Sequence, residues 1–281
     1  MNTTTTTTIT TGMTAGGGGV SRYSFANADP QGRQQLRLLA DICDEHSTTM
    51  LASTGIRSGW QVLDVGPGAG TVTAWLAGRV RPGGHVTALD LDPRHLPTAD
   101  NVTVRHGDVR TADLPSGHFD LIHARLVLLH LAERDMVLDR LVAALKPGGL
   151  LVLSEWDGTR HDWLLRAPSP AHKEAFDVFQ TGLLGVLEDN GADLGWARRA
   201  PLAMRAAGLV DVDTVVHNRL WSGGEAGCLL HLSNAEQLHD ALLARGVTAA
   251  QLDRLREAMH HPDTRAYCYP MYTTVGRRPE Q

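Results

Sequence analysis

Three glycines on alternate positions follow a short apolar run, Val62-Leu63-Asp64-Val65, giving Gly66-Pro67-Gly68-Ala69-Gly70, and a second carboxylate, Asp90, stands twenty residues after Gly70. Glycine lets backbone approach a ligand that a side chain would exclude. A carboxylate can accept two hydrogen bonds from the neighbouring hydroxyls of a ribose. The pair of features therefore reads as a nucleoside-cofactor site. A dinucleotide fingerprint has the spacing G-x-G-x-x-G, with its turn presenting amides to a pyrophosphate, whereas the spacing here is G-x-G-x-G. Asp64, just before the turn, would repel a pyrophosphate and support a cationic amino-acid group. Downstream, His123, Arg125 and His130 stand at and beyond the end of one apolar run, and Glu155, Trp156 and Asp157 end another. Histidine has the intrinsic pKa of a general base, and His123 is the candidate, against the alternative of a satisfied structural histidine. Arg125 could hold a carboxylate or a substrate anion, or pair with an acid such as Glu155. Trp156 could stack on a flat acceptor or belong to the core. His260-His261-Pro262-Asp263 offers no rigid chelate and reads as a surface turn, so no metal is expected.

The elements that would position these groups follow from pattern. The run before Gly66 is a strand, the glycines a tight turn, and a helix is expected over 71–80 and another over 133–145. Strand and helix alternate, which gives an α/β, doubly wound sheet whose ligands bind at the carboxyl ends of the strands. Before it, Leu36, Leu38, Leu39, Ile42 and Cys43 mark an amphipathic helix over 34–51. Tyr23 and Phe25 could fold over the pocket as a lid and touch substrate, or merely anchor a terminal arm. Past the core, helices are expected over 168–190 and 192–207, a strand over 209–216, helices over 234–244 and 249–259, and a last strand over 267–275.

These segments resemble the class I S-adenosylmethionine-dependent methyltransferases. Gly66, Pro67, Gly68 and Gly70 match the first motif, followed by Asp90 and Leu91; Val102 to Val109, with Gly107, Asp108 and Val109, matches the acidic loop after the third strand; the fourth strand runs from Phe119 to Arg125; and Lys146-Pro147-Gly148-Gly149 turns into the fifth. The resemblance spans 60–157 and implies a Rossmann-like, seven-stranded sheet with an antiparallel last strand. It implies that the glycines pack under the methionine and ribose portions, Asp64 orients the amino-acid end, Asp90 takes the ribose hydroxyls, and Asp108 with Val109 meets the adenine. Arg125 is expected at the cofactor's carboxylate. It further implies a helical insertion between the fifth and sixth strands that builds the acceptor pocket, with Phe176 and Phe179 as candidate substrate contacts beside Glu155 and Trp156; the core of a cap or a dimer face is the alternative for that apolar stripe. Methyl transfer from a sulfonium is an in-line displacement served by positioning and desolvation, so no catalytic triad is required. The chain is similar to actinobacterial natural-product methyltransferases, which implies a small acceptor, such as an aromatic scaffold, methylated on carbon, oxygen or nitrogen.

Bulk properties narrow the alternatives. A chain of 281 residues with a net charge of −5 has no broad basic footprint for nucleic acid. That disfavours RNA or protein methylation, although the fold could also bind the cofactor without methyl transfer, as a cyclase or scaffold. A nicotinamide dehydrogenase is disfavoured by the glycine spacing. The expected organisation is a disordered threonine- and glycine-rich tail over 1–20 and one domain over 21–281: a helical lid to 58, the cofactor core over 59–157, substrate-cap helices over 158–208, and C-terminal strands with inserted helices. Three scattered cysteines, no secretion signal and no apolar run of about 20 residues point to a cytoplasmic enzyme that spans no membrane. A homodimer is an open option.

Overall fold

Alternation of short apolar runs with amphipathic segments produces a chain of strands and helices in a computed structural model that describes residues 30–160 and 162–280. The expectations for the tail over 1–20 and for Tyr23 and Phe25 lie outside the described residues. In chain order the elements are α1 (Pro30–Ser53), β1 (Gln61–Val65), α2 (Thr71–Val80), β2 (His85–Asp90), β3 (Val102–His106), β4 (Phe119–Arg125), α3 (Arg134–Ala144), β5 (Leu145–Trp156), β6 (Leu164–Arg166), α4 (Pro170–Asp189), α5 (Trp196–Ala206), β7 (Val210–His217), β8 (Leu220–Ser222), α6 (Ala226–Gln237), α7 (His239–Ala244), α8 (Ala249–His260), β9 (Arg265–Tyr267) and β10 (Met271–Arg277).

Seven strands form one sheet in the order β3-β2-β1-β4-β5-β10-β7. The first five are mutually parallel, and β10 lies antiparallel between β5 and β7. The winding reverses between β1 and β4, so their carboxyl ends open a crevice, the usual ligand position in such sheets. One face of the sheet is covered by a cluster containing Val62, Val72, Leu76, Val80, Val86 and Leu121. The other carries Leu63, Ile122, Leu138, Leu141, Trp196 and Met204. A third cluster, built on Phe176, Phe179, Leu183, Leu230, Leu242 and Leu255, is the core of a separate helical cap. No helix of the described residues is long and apolar enough to cross a membrane.

The cap differs from the expected one. α5 joins the sheet layer, since Trp196, Ala200 and Met204 pack in the cluster on the sheet. The cap is instead α4, α6, α7 and α8 with a three-stranded sheet of order β6-β9-β8, so it draws on chain after β7 as well as before it. The small sheet was not anticipated, because strands of three residues are too short to display a period of two. The expected strand over 267–275 breaks into β9 and β10; the peptide carbonyl of Pro270 in the break accepts from Asp157 N at 3.0 Å. The expected helix over 234–244 is two helices meeting at Leu238, and α6 begins eight residues earlier, at Ala226.

Candidate cofactor cleft and adjoining cavity

β1 delivers the chain to the glycine turn. Gly66, Gly68 and Gly70 have φ of +62°, +58° and +73°, a region L side chains rarely occupy. Sterics add to this: a Cβ on Gly66 would lie 2.5 Å from Val127 Cγ2, and one on Gly70 2.4 Å from Pro97 Cδ. Gly66, Pro67 and Gly68 face a cleft of about 370 Å³, while Gly70 serves the turn into α2 and does not line it. This volume lies in the range of about 300–1,000 Å³ usual for small-molecule sites.

Asp90 ends β2, the strand paired with β1, and lines the same cleft. Gly68 N donates to its Oδ2 at 3.2 Å and Asp92 N to its Oδ1 at 2.8 Å, which locks the carboxylate against the glycine turn. Burial pushes its pKa up, and the two backbone donors oppose that. A carboxylate has about four acceptor positions, so capacity remains for hydroxyls. Leu91 and Gly107 line the same wall, and Asp108 and Val109 continue it. Asp108 is clamped by Arg110, whose Nη2 donates to Oδ2 at 2.6 Å and Nε to both oxygens at 3.0 and 2.9 Å. The guanidinium holds the Asp108 carboxyl below its ordinary pKa. Glycine turn, buried ribose-type carboxylate and acidic loop face one space, and that donor and acceptor set fits an adenosyl group.

Several expected contacts are not there. Asp64 is fully buried and absent from the cleft wall: Thr73 Oγ1 donates to its Oδ2 at 2.6 Å and His123 Nδ1 to its Oδ1 at 2.8 Å. It therefore fixes α2 and β4 to β1 and does not reach a cofactor's amino group. His123 is 2% exposed, shielded within the sheet, and cannot act as a base on a substrate in the cleft. Arg125 does line the cleft, but it pairs with α1 and not with Glu155: its Nη1 donates to Asp44 Oδ1 at 2.8 Å and to Ser47 Oγ at 3.0 Å. Glu155 is buried beneath the loop after β4, where its Oε1 accepts from Leu128 N at 2.8 Å, and burial pushes its carboxyl up to about 8. It touches neither cavity. Phe176 and Phe179 are fully buried, 6.5 Å apart, and each packs edge-on to His231 in the cap core. They are core residues, as the alternative reading had it. Residues 260–263 are exposed.

A second, smaller cavity of about 80 Å³ lies between α1, α4, α6 and the ends of β4 and β5. Leu39, Leu126 and His130 line both spaces. Leu126 has φ of +56°, a strained conformation that places the turn after β4 between the two spaces. Burial pushes the His130 imidazole down to about 4, so it is neutral at physiological pH. Trp156, placed among the substrate contacts by its position at the end of the fifth strand, borders this cavity with Tyr269. Sequence reading missed Gln35, Asn234 and Tyr269. Helical periodicity put Leu36 and Leu39 on an apolar face without showing what that face covers, and nothing local distinguishes Asn234.

Residues 63–153 match the methyltransferase domain family. A ubiquinone/menaquinone biosynthesis C-methyltransferase of Shewanella sediminis is 29% identical over 122 residues, 40% of this chain and 49% of that protein. The chain spans less than half the length of the first curated relatives it matches. Among solved structures, Haemonchus contortus phosphoethanolamine N-methyltransferase 2, in complex with phosphomonomethylethanolamine and S-adenosylhomocysteine, superposes with a TM-score of 0.54 at 16% identity, covering 89% of this chain and 58% of that one. The [4+2]-cyclase SpnF superposes with a TM-score of 0.51 at 19% identity, covering 85% and 82%. These superpositions establish an α/β, Rossmann-like fold shared with both proteins.

Proposed function

We infer that this chain, whose residues 63–153 match the methyltransferase domain family, is an S-adenosylmethionine-dependent methyltransferase acting on a small acceptor. The observation that carries this reading is the Asp90 carboxylate hydrogen-bonded to Gly68 N across the cleft floor, with a cavity adjoining the cleft on the side of the cap. S-adenosylmethionine, when bound, supplies an electrophilic methyl group on a sulfonium. The chain's own part is to hold and to exclude. Asp90 would take the ribose hydroxyls, Asp108 and Val109 would border the adenine, and Gly66 to Gly68 would lie under the ribose and methionine portions. Arg125, anchored by Asp44, is the cation nearest the end of β4 and would face the carboxylate. Leu36 and Leu39 of α1 close the cleft from above and keep water from the reacting atoms, where desolvation strengthens every electrostatic contact. With His123 and Glu155 both buried away from the cleft, positioning supplies most of the rate.

Isothermal calorimetry with S-adenosylmethionine, S-adenosylhomocysteine and NAD tests this. Micromolar binding of both sulfur nucleosides and none of NAD is expected, followed by release of S-adenosylhomocysteine with an acceptor present. Binding of NAD alone would overturn the cofactor. A second reading is favoured by the likeness to a cyclase: cofactor binding with no turnover to S-adenosylhomocysteine. Turnover separates the two.

A further inference from the structure

Among the described residues, the lining of the smaller cavity holds no aspartate, glutamate, lysine or arginine. Leu183, Leu184 and Leu187 come from α4 and Leu230 from α6, while Trp156 and Tyr269 contribute rings 5.3 Å apart. Its polar groups are amides and neutral rings. Gln35 Nε2 donates to Asn234 Oδ1 at 2.7 Å, and Gln35 Oε1 is buried with no partner among the described residues. Tyr269 Oη donates to Gln180 Oε1 at 2.8 Å.

We propose that this cavity is the acceptor-specificity pocket and takes an uncharged aromatic group, leaving the reacting atom in the cleft. The inference rests on the methyl-transfer reading above. A phosphate, carboxylate or ammonium entering the cavity would lose its water and find no counter-ion, a cost that excludes it. An arene loses nothing on leaving water and gains contact with leucine side chains and the Trp156 and Tyr269 rings. An apolar cavity of roughly 150 Å³ holds a benzene, so about 80 Å³ takes a single ring only in part. The remainder of the acceptor then projects past Leu39, Leu126 and His130 into the cleft.

Binding of para-fluorophenol to the full chain, followed by fluorine NMR with and without S-adenosylhomocysteine, tests the assignment, with phosphoethanolamine and sarcosine as charged competitors. The expected result is saturable binding of para-fluorophenol, no displacement by either charged compound, and affinity reduced at least about tenfold in Leu194→Trp and Leu187→Phe, which fill the cavity from a loop and a helix. Neither residue lines the cleft, so S-adenosylhomocysteine affinity stays within about twofold. The comparison of neutral and charged compounds uses the wild-type chain and needs no variant to fold. Absence of para-fluorophenol binding, binding that survives both substitutions, or displacement by a charged compound would overturn the proposal. The nucleoside titration is read separately: arene binding without nucleoside binding removes the methyl-transfer reading and keeps the cavity, and nucleoside binding without arene binding does the reverse.

Discussion

His123 Nδ1 donates to Asp64 Oδ1 at 2.8 Å across two neighbouring parallel strands, and both side chains are buried. The two residues lie opposite each other in the register of β1 and β4, so the bond braces the strands at the switch point from which the cleft opens. Replacing His123 by Ala leaves a buried carboxylate with one partner fewer. We expect a loss of about 1–3 kcal/mol in unfolding free energy by chemical denaturation, the scale of an unsatisfied buried group, with S-adenosylmethionine affinity changed only slightly. Full stability combined with lost turnover would return His123 to the role of base.

Asp90→Ala is expected to weaken S-adenosylmethionine binding by roughly 1.5–3 kcal/mol, the scale of hydrogen bonds to a charged group. It removes the proposed ribose acceptor and also the acceptor for Gly68 N and Asp92 N. Calorimetry on the folded variant checks this, and an unchanged affinity would take Asp90 out of the ribose site.

Gly68→Val forces a β-branched residue to φ of +58°, with its Cβ 3.0 Å from Leu36 Cδ2 of the helix over the cleft. A bulky residue at such φ is strained by about 1–3 kcal/mol, and its side chain enters the space the cofactor would use. The expected outcome is a folded protein with no measurable nucleoside binding. Wild-type affinity in that variant would contradict the cradle.

Glu155 gives a pH dependence of stability with a definite sign. Burial raises its folded carboxyl pKa from 4.5 to about 8. Between those values the folded chain keeps a proton that the unfolded chain has lost, so stability falls as pH rises through the window and levels off above it. Glu155→Gln retains an oxygen to accept from Leu128 N and has no proton to lose. Thermal unfolding at pH values spanning the window should show the wild type declining relative to the variant toward the alkaline end; parallel curves would mean that Glu155 is ionised throughout.

How much of this was legible beforehand depended on the range of the interaction. The helix over 71–80 was readable because it rests on local periodicity, whereas the antiparallel direction of the last strand came only with the family resemblance. Gly66, Gly68 and Asp90 were readable because a turn at positive φ and a carboxylate at a strand end are demanded by neighbours close in the chain. Asp64 and His123 were misplaced, since each carries a functional residue type and only the strand register shows that they satisfy each other. Phe176 and Phe179 failed similarly: an apolar stripe on a helix shows that something is covered, and not whether that is a ligand or His231.

The sequence by itself determined the strand–turn–helix frame and the meeting of Gly66, Gly68 and Asp90 at one cleft, because those follow from φ preferences, hydrophobic period and the spacing of Gly66 to Asp90. Tertiary structure alone decided the acceptor side. Gln35 and Asn234 stand 199 residues apart, and Trp156 meets Tyr269 only once β10 lies antiparallel to β5. A pocket assembled from α1, α4 and α6 depends on long-range packing of apolar faces, which is non-directional and leaves no fixed spacing in the chain.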